Sequence, residues 1–204
     1  MCKALLPLLI AIAALPTACR HAPPNLNSPG HTIVVLGDSL AAGVGSGPGE
    51  AYPDLLAARL KADVVNAGVS GNTTADGLAR VGDVLAEDPW LVIVELGGND
   101  ILRQVPPEQT ERNLRAILDR LIAGRVVPVL VEMDAPFGAR YREIYGRLGD
   151  EYHVPIVEDV FGEVLRDPAL KSDQIHPNAE GQRRLAQAIA EELQPILDAR
   201  RKAR

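Results

Sequence analysis

The chain has 204 residues, 47% apolar and 24% charged, enough for one globular domain with a sizeable core. Its net charge of −6 argues against nucleic acid or an anionic membrane surface as the main partner. Aromatic residues make up only 3%, while Ala, Leu and Val are plentiful, which favours a mixed helix-and-strand protein over an all-β one.

Residues 1–19 read as an export signal outside the fold. Lys3 gives a short positive start, Leu5 to Leu15 an apolar stretch too short to span a bilayer, and Ala18 a small residue before a cleavage point. The run Leu15-Pro16-Thr17-Ala18-Cys19 resembles a bacterial lipoprotein signal, which implies a lipidated Cys19, although Pro16 stands where that pattern has an aliphatic residue. Ordinary secretion and a retained N-terminus are the competing readings. Cys2 and Cys19 both fall in this region, so the mature domain carries no cysteine pair. Residues 20–30 read as a polar, proline-rich linker, and residues 31–200 as the domain.

From His31 onward, short β-branched runs alternate with helical stretches. Thr32–Leu36 is a continuous apolar run, the pattern of a fully buried parallel strand. A helix is predicted over Tyr52–Leu60, a strand over Asp63–Asn66, and a helix over Thr73–Leu85 capped by Thr73 or Thr74. Trp90–Leu96 is the clearest strand. Glu108–Ala123 follows as an amphipathic helix stopped by Gly124, then a strand over Val126–Met133 and a helix over Arg140–Glu151. Val154–Val157 is the fifth strand and Ala179–Leu197 the last helix. Strands separated by helices imply right-handed crossovers and a parallel sheet covered on both faces. In such sheets ligands sit beyond the carboxyl ends of the strands.

Four short segments converge on that edge. Ser39, in Gly37-Asp38-Ser39-Leu40, stands at a strand-to-helix turn with a hydroxyl able to act as nucleophile; the same residues equally suit a helix cap. No Gly-x-Ser-x-Gly elbow surrounds it, which excludes the α/β-hydrolase pattern. Asp38 reads as a structural residue bonding to the serine loop. His176 lies three residues after Asp173 in a loop closed by Pro177, a spacing that lets a carboxylate orient an imidazole base. Gly71 can aim a backbone N–H inward, and Asn99, in Gly97-Gly98-Asn99-Asp100, offers an amide donor. With the Ser39 N–H they make the three donors that an ester's tetrahedral intermediate needs. Any one segment alone is ordinary turn chemistry. The Gly43–Gly47 stretch lacks phosphate-loop spacing and reads as a flexible pocket rim. No metal spacing occurs, so no metal is expected.

Together these blocks resemble the SGNH (GDSL) hydrolase superfamily, and most closely its bacterial thioesterase/lysophospholipase-like group. The likeness is carried by Leu36–Leu40, Val65-Asn66-Ala67, Gly77–Arg80, Val94–Asp100, Gln109–Glu111 and Ile175–Asn178. The resemblance implies an α/β three-layer α/β/α sandwich with a five-stranded parallel sheet, and no cofactor. It implies Ser39 as nucleophile, His176 as base and Asp173 orienting it, with Ser39, Gly71 and Asn99 forming the oxyanion hole. Between Met133 and Asp150 the chain is shorter than such relatives, and Phe137 falls in the substrate-loop position. The expected activity is hydrolysis of carboxylic esters (aryl or short acyl esters, lysophospholipids, acyl thioesters) by a monomer of the bacterial cell envelope, periplasmic or lipid-anchored. The alternatives are a carbohydrate O-acetylesterase and a non-catalytic envelope binding protein.

Overall fold

In a computed structural model, which describes residues 22–133 and 138–203, the alternating elements build one parallel sheet between two helical layers. The five strands are β1 (Thr32–Gly37), β2 (Val64–Gly68), β3 (Pro89–Glu95), β4 (Val127–Val131) and β5 (Ile156–Val157), ordered β2-β1-β3-β4-β5. Helices α1 (Tyr52–Leu60), α7 (Val160–Arg166) and α8 (Ala179–Ala203) pack together on one face. Helices α2 (Thr74–Ala79), α3 (Val81–Ala86), α5 (Pro107–Ala123) and α6 (Ala139–Tyr152) form the other layer, and α4 (Gly98–Leu102) is a short turn of helix after β3.

The central strands β1, β3 and β4 are apolar on both faces because both are roofed by helices. The long helices α5 and α8 turn apolar stripes inward, Leu114, Ile117, Leu118 and Leu121 from the first, Leu185, Ile189 and Leu193 from the second. The chain moves outward from β1 to β2 and then crosses back to β3. The switch point therefore lies between β1 and β3, where a parallel sheet opens a crevice at its carboxyl edge. Ser39 follows β1 and Asn99 follows β3 at that crevice.

Three features depart from the expected elements. The stretch Thr73–Leu85 is two helices, not one. Thr73 and Asp76 form a reciprocal capping box at the start of α2, and the helix stops at Arg80 with φ −98° and ψ 2° before α3 begins. The fifth strand is only two residues long, and α7, which the expected elements do not include, follows it. The proline-rich stretch from residue 22 to 30 is also docked on the domain. Asn25 Nδ2 donates to the Ile122 and Val126 carbonyls at 3.0 and 3.1 Å. The Arg200 guanidinium donates to Ser28 and Gly30 carbonyls at 3.2 and 2.8 Å while stacking over Trp90. The folded body thus begins before residue 31, on the edge of the sheet opposite the crevice.

Candidate active site

The turn after β1 is fastened from several sides. Asp38 Oδ1 accepts the Leu40 N–H at 3.0 Å, closing a local Asx turn, and the Asp38 and Ser39 carbonyls accept from Ala42 and Val44. From β3, Glu95 Oε2 accepts the Asp38 and Ala41 N–H groups at 3.4 and 3.1 Å. From α8, Gln182 donates to the Leu40 carbonyl and accepts from Tyr52 N–H. Ser39 is thereby held nearly buried, 8% exposed, with its hydroxyl facing His176.

His176 Nε2 lies 3.1 Å from Ser39 Oγ, and its Nδ1 lies 2.7 Å from Asp173 Oδ2. With Nδ1–H donated to the carboxylate, Nε2 is left to accept the serine proton. Asp173 Oδ1 also accepts the Ile175 and His176 N–H groups, both at 2.8 Å. The His176 contact and these amides hold the Asp173 carboxyl down at about 2, so it is a carboxylate near neutral pH. Asn178 accepts from the Glu180 and Gly181 N–H groups at the start of α8 and donates to the Ala169 and Lys171 carbonyls, which fixes the His176 loop to that helix.

The Gly43–Gly47 stretch, expected as a flexible rim, supports this loop instead. Gly45 has φ +96°, and a Cβ there would collide with Ser172 Oγ and stand 2.6 Å from the Pro177 carbonyl. Only glycine allows the two loops this close.

Gly71 has φ +81°, which a side chain would strain, and its carbonyl accepts from Arg103 at 2.8 Å. Among the described residues, neither the Ser39 nor the Gly71 N–H has a protein acceptor. Asn99 differs. Its Nδ2 donates to Asp38 Oδ2 at 2.8 Å and to the Asn72 carbonyl at 3.0 Å, so both amide hydrogens are engaged. Behind it, buried Asp100 accepts from the Thr74 hydroxyl and N–H and from the Thr110 hydroxyl, locking α4 to α2 and α5.

Beside Ser39 and Asn99 opens a cavity of about 100 Å³, walled by Leu40, Ile101, Met133, Phe161, Leu165 and Ile175. Phe137 lies outside the described residues; among those described, Phe161 gives this wall an aromatic ring. Sequence reasoning passed over Phe161, although it opens a helix directly after the fifth strand. It also passed over Glu95, whose signal was plain: one acid in an otherwise apolar strand. Among the described residues no three His, Cys, Asp or Glu side chains gather as a metal site, and no helix is long and apolar enough to cross a membrane.

An unpartnered pair of backbone donors beside a serine–histidine–aspartate relay, at the switch point of a parallel sheet, defines a serine hydrolase. The GDSL-like Lipase/Acylhydrolase family model matches residues 35–184, and the chain belongs to that family. It is 41% identical over 177 residues to Thioesterase 1/protease 1/lysophospholipase L1 of Escherichia coli (strain K12), covering 82% of this chain and 85% of that protein. Esterase TesA of Pseudomonas aeruginosa is 35% identical over 181 residues, covering 81% and 89%. A crystal structure of TesA superposes with a TM-score of 0.75 at 34% identity, covering 81% of this chain and 99% of that one.

Proposed function

We propose that this protein hydrolyses carboxylic esters through an acyl-enzyme on Ser39, with aryl and short acyl esters as its best substrates. The continuous contact from Asp173 through His176 to Ser39 carries this reading. Ser39 Oγ attacks the ester carbonyl as its proton passes to His176 Nε2. The oxyanion is received by the Ser39 and Gly71 N–H groups, and Asn99 joins them by turning its amide from Asp38. Collapse expels the alcohol, which takes the proton from His176. Water then enters, His176 removes its proton, and the acid leaves as Ser39 is restored. Asp173 remains a carboxylate throughout and balances the imidazolium.

Acyl preference follows from the cavity, which is apolar and smaller than the roughly 300–1,000 Å³ of a typical ligand pocket. Likeness to a thioesterase/lysophospholipase makes lysophospholipids and acyl thioesters the second group to test. A fluorophosphonate should add once per chain, at Ser39, and stop turnover. The p-nitrophenyl esters from acetate to palmitate should be cleaved fastest at the short end. An adduct elsewhere, or activity that survives full labelling, would end the assignment. A long-chain optimum with palmitoyl-CoA or lysophospholipid turnover would move the substrate class, and activity confined to sugar acetates would make it a carbohydrate esterase.

The chain is further proposed to be exported to the periplasm as a monomer, with Cys19 lipidated. Residues 22–30 dock at the edge opposite the site, and β1 spans about 20 Å between the two edges. An anchored chain would therefore turn Ser39 away from its own bilayer and favour substrates arriving from the aqueous side. Metabolic labelling with palmitate should mark the wild type and leave Cys19→Ser unlabelled; a mature chain without lipid, or with its first residues intact, rules the anchor out.

A further inference from the structure

The oxyanion-side loop has a support that the relay does not use. Gly71-Asn72 lies in the connection from β2 to α2, and α2 is a short helix of six residues. At its end, Arg80 folds back over the loop. Its Nε donates to Asn72 Oδ1 at 2.9 Å, and its Nη2 donates to the Ala67 carbonyl at 3.0 Å and the Gly37 carbonyl at 3.4 Å. One guanidinium thus ties the carboxyl end of β1, which leads into Ser39, to the end of β2 and to the loop that follows Gly71. The break between α2 and α3 falls at this residue, where a single continuous helix was expected.

Asn72 is the hinge of the arrangement. Its side chain takes the Arg80 bond, its backbone carbonyl takes the Asn99 amide, and its backbone N–H donates to the Val69 carbonyl at 3.1 Å. The residue before it supplies the Gly71 N–H. Two of the three oxyanion donors are accordingly set by where Asn72 sits.

We infer that Arg80 is a positioning residue for the oxyanion hole, acting through Asn72 on the Gly71 N–H and the Asn99 amide. The inference rests on the ester-hydrolase reading above. A planar guanidinium can serve three acceptors in fixed directions, whereas the ammonium of lysine cannot reproduce that fork. Nothing in this role touches the acyl group, so the loss should fall on the transition state and leave substrate binding nearly unchanged.

The test compares Arg80→Lys, Arg80→Ala and Asn72→Ala with the wild type and Ser39→Ala on p-nitrophenyl acetate, with melting temperatures measured alongside. Arg80→Lys and Arg80→Ala are each expected to lower kcat by about 10- to 100-fold, in line with displaced oxyanion donors, with KM changed by less than about threefold. Asn72→Ala should show a similar loss, and the Arg80→Ala/Asn72→Ala double variant should be little worse than either alone, because both break one linkage. Free ethylguanidinium should restore part of kcat to Arg80→Ala and none to Ser39→Ala. Full kcat in Arg80→Lys and Asn72→Ala would overturn the inference. So would a loss that only tracks the unfolded fraction, with no rescue. Turnover that survives in Ser39→Ala would instead remove the ester-hydrolase reading, and the inference with it.

Discussion

Ser39→Ala is expected to lower kcat by about 10⁵- to 10⁶-fold on any ester the wild type cleaves, with the fold intact. Ser39 is held by backbone bonds to its neighbours, so removing its hydroxyl deletes one contact, the 3.1 Å approach of His176, and leaves the turn's other ties in place. His176→Ala should cost a comparable factor, and the double variant should be no slower than either single one, because the two groups act as one unit. Asp173→Asn should be milder, at about 10⁴-fold, by reversing the hydrogen bond that sets the imidazole tautomer. Steady-state rates of the four variants, with melting temperatures beside them, check this. Additive losses in the double variant would mean that the serine and histidine do not share a step. The Asp173 carboxyl, held down at about 2 by His176 and the two loop amides, should stay ionised across the pH range of these assays.

Much of this site is legible in the sequence because each catalytic part sits on a local signal. Asp173 and His176 are three residues apart and hydrogen-bond within their own loop, so their geometry is written in the spacing. Strand ends are marked by glycine, and the buried strands by continuous β-branched runs, which is why the order of elements could be read. What could not be read depends on contacts between distant segments. The break at Arg80 does not fall on either nearby glycine, Gly77 or Gly82, both of which lie inside helices; the three acceptors across β1, β2 and Asn72 account for the side chain's position. The docking of residues 22–30 needs Asn25 to find carbonyls around β4 and Arg200, some 170 positions on, to reach theirs. Prolines and polar residues look like a linker until those partners are in place. Phe161 was not legible for a related reason: it reaches the cavity wall only because α7 packs there, which no local pattern announces.

Glu95→Gln is expected to raise the melting temperature, by an amount that grows with pH. Glu95 is wholly buried at the end of β3, under the serine turn, and Gly37 lacks a Cβ where its Oε2 sits. Burial, and then the neighbouring Asp38 carboxyl, push its own carboxyl well above the usual glutamate range. Burial raises Asp38 as well, but Asp38 accepts from Leu40 N–H and the Asn99 amide, whereas Glu95 Oε1 has no partner among the described residues. The proton therefore belongs on Glu95 and the charge on Asp38. A carboxyl raised on folding keeps its proton after the unfolded chain has lost it, so the wild type loses stability as pH climbs above about 4.5, up to the folded value, at no more than about 1.4 kcal/mol per pH unit. Glutamine keeps an oxygen for the Asp38 and Ala41 N–H groups and has no proton to lose. Its advantage should therefore widen from pH 5 upward, and each kcal/mol gained would move a domain of this size by about 2–4 °C. Glu95→Leu separates the two functions of the side chain. It also cannot ionise, yet it strips the acceptor from two buried amides, so it should lose stability at every pH and lower kcat by loosening the turn that carries Ser39. Thermal scans of the wild type and both variants across that range decide the matter: a wild-type/glutamine difference that stays flat with pH would mean that Glu95 titrates in the folded protein as it does in the unfolded chain.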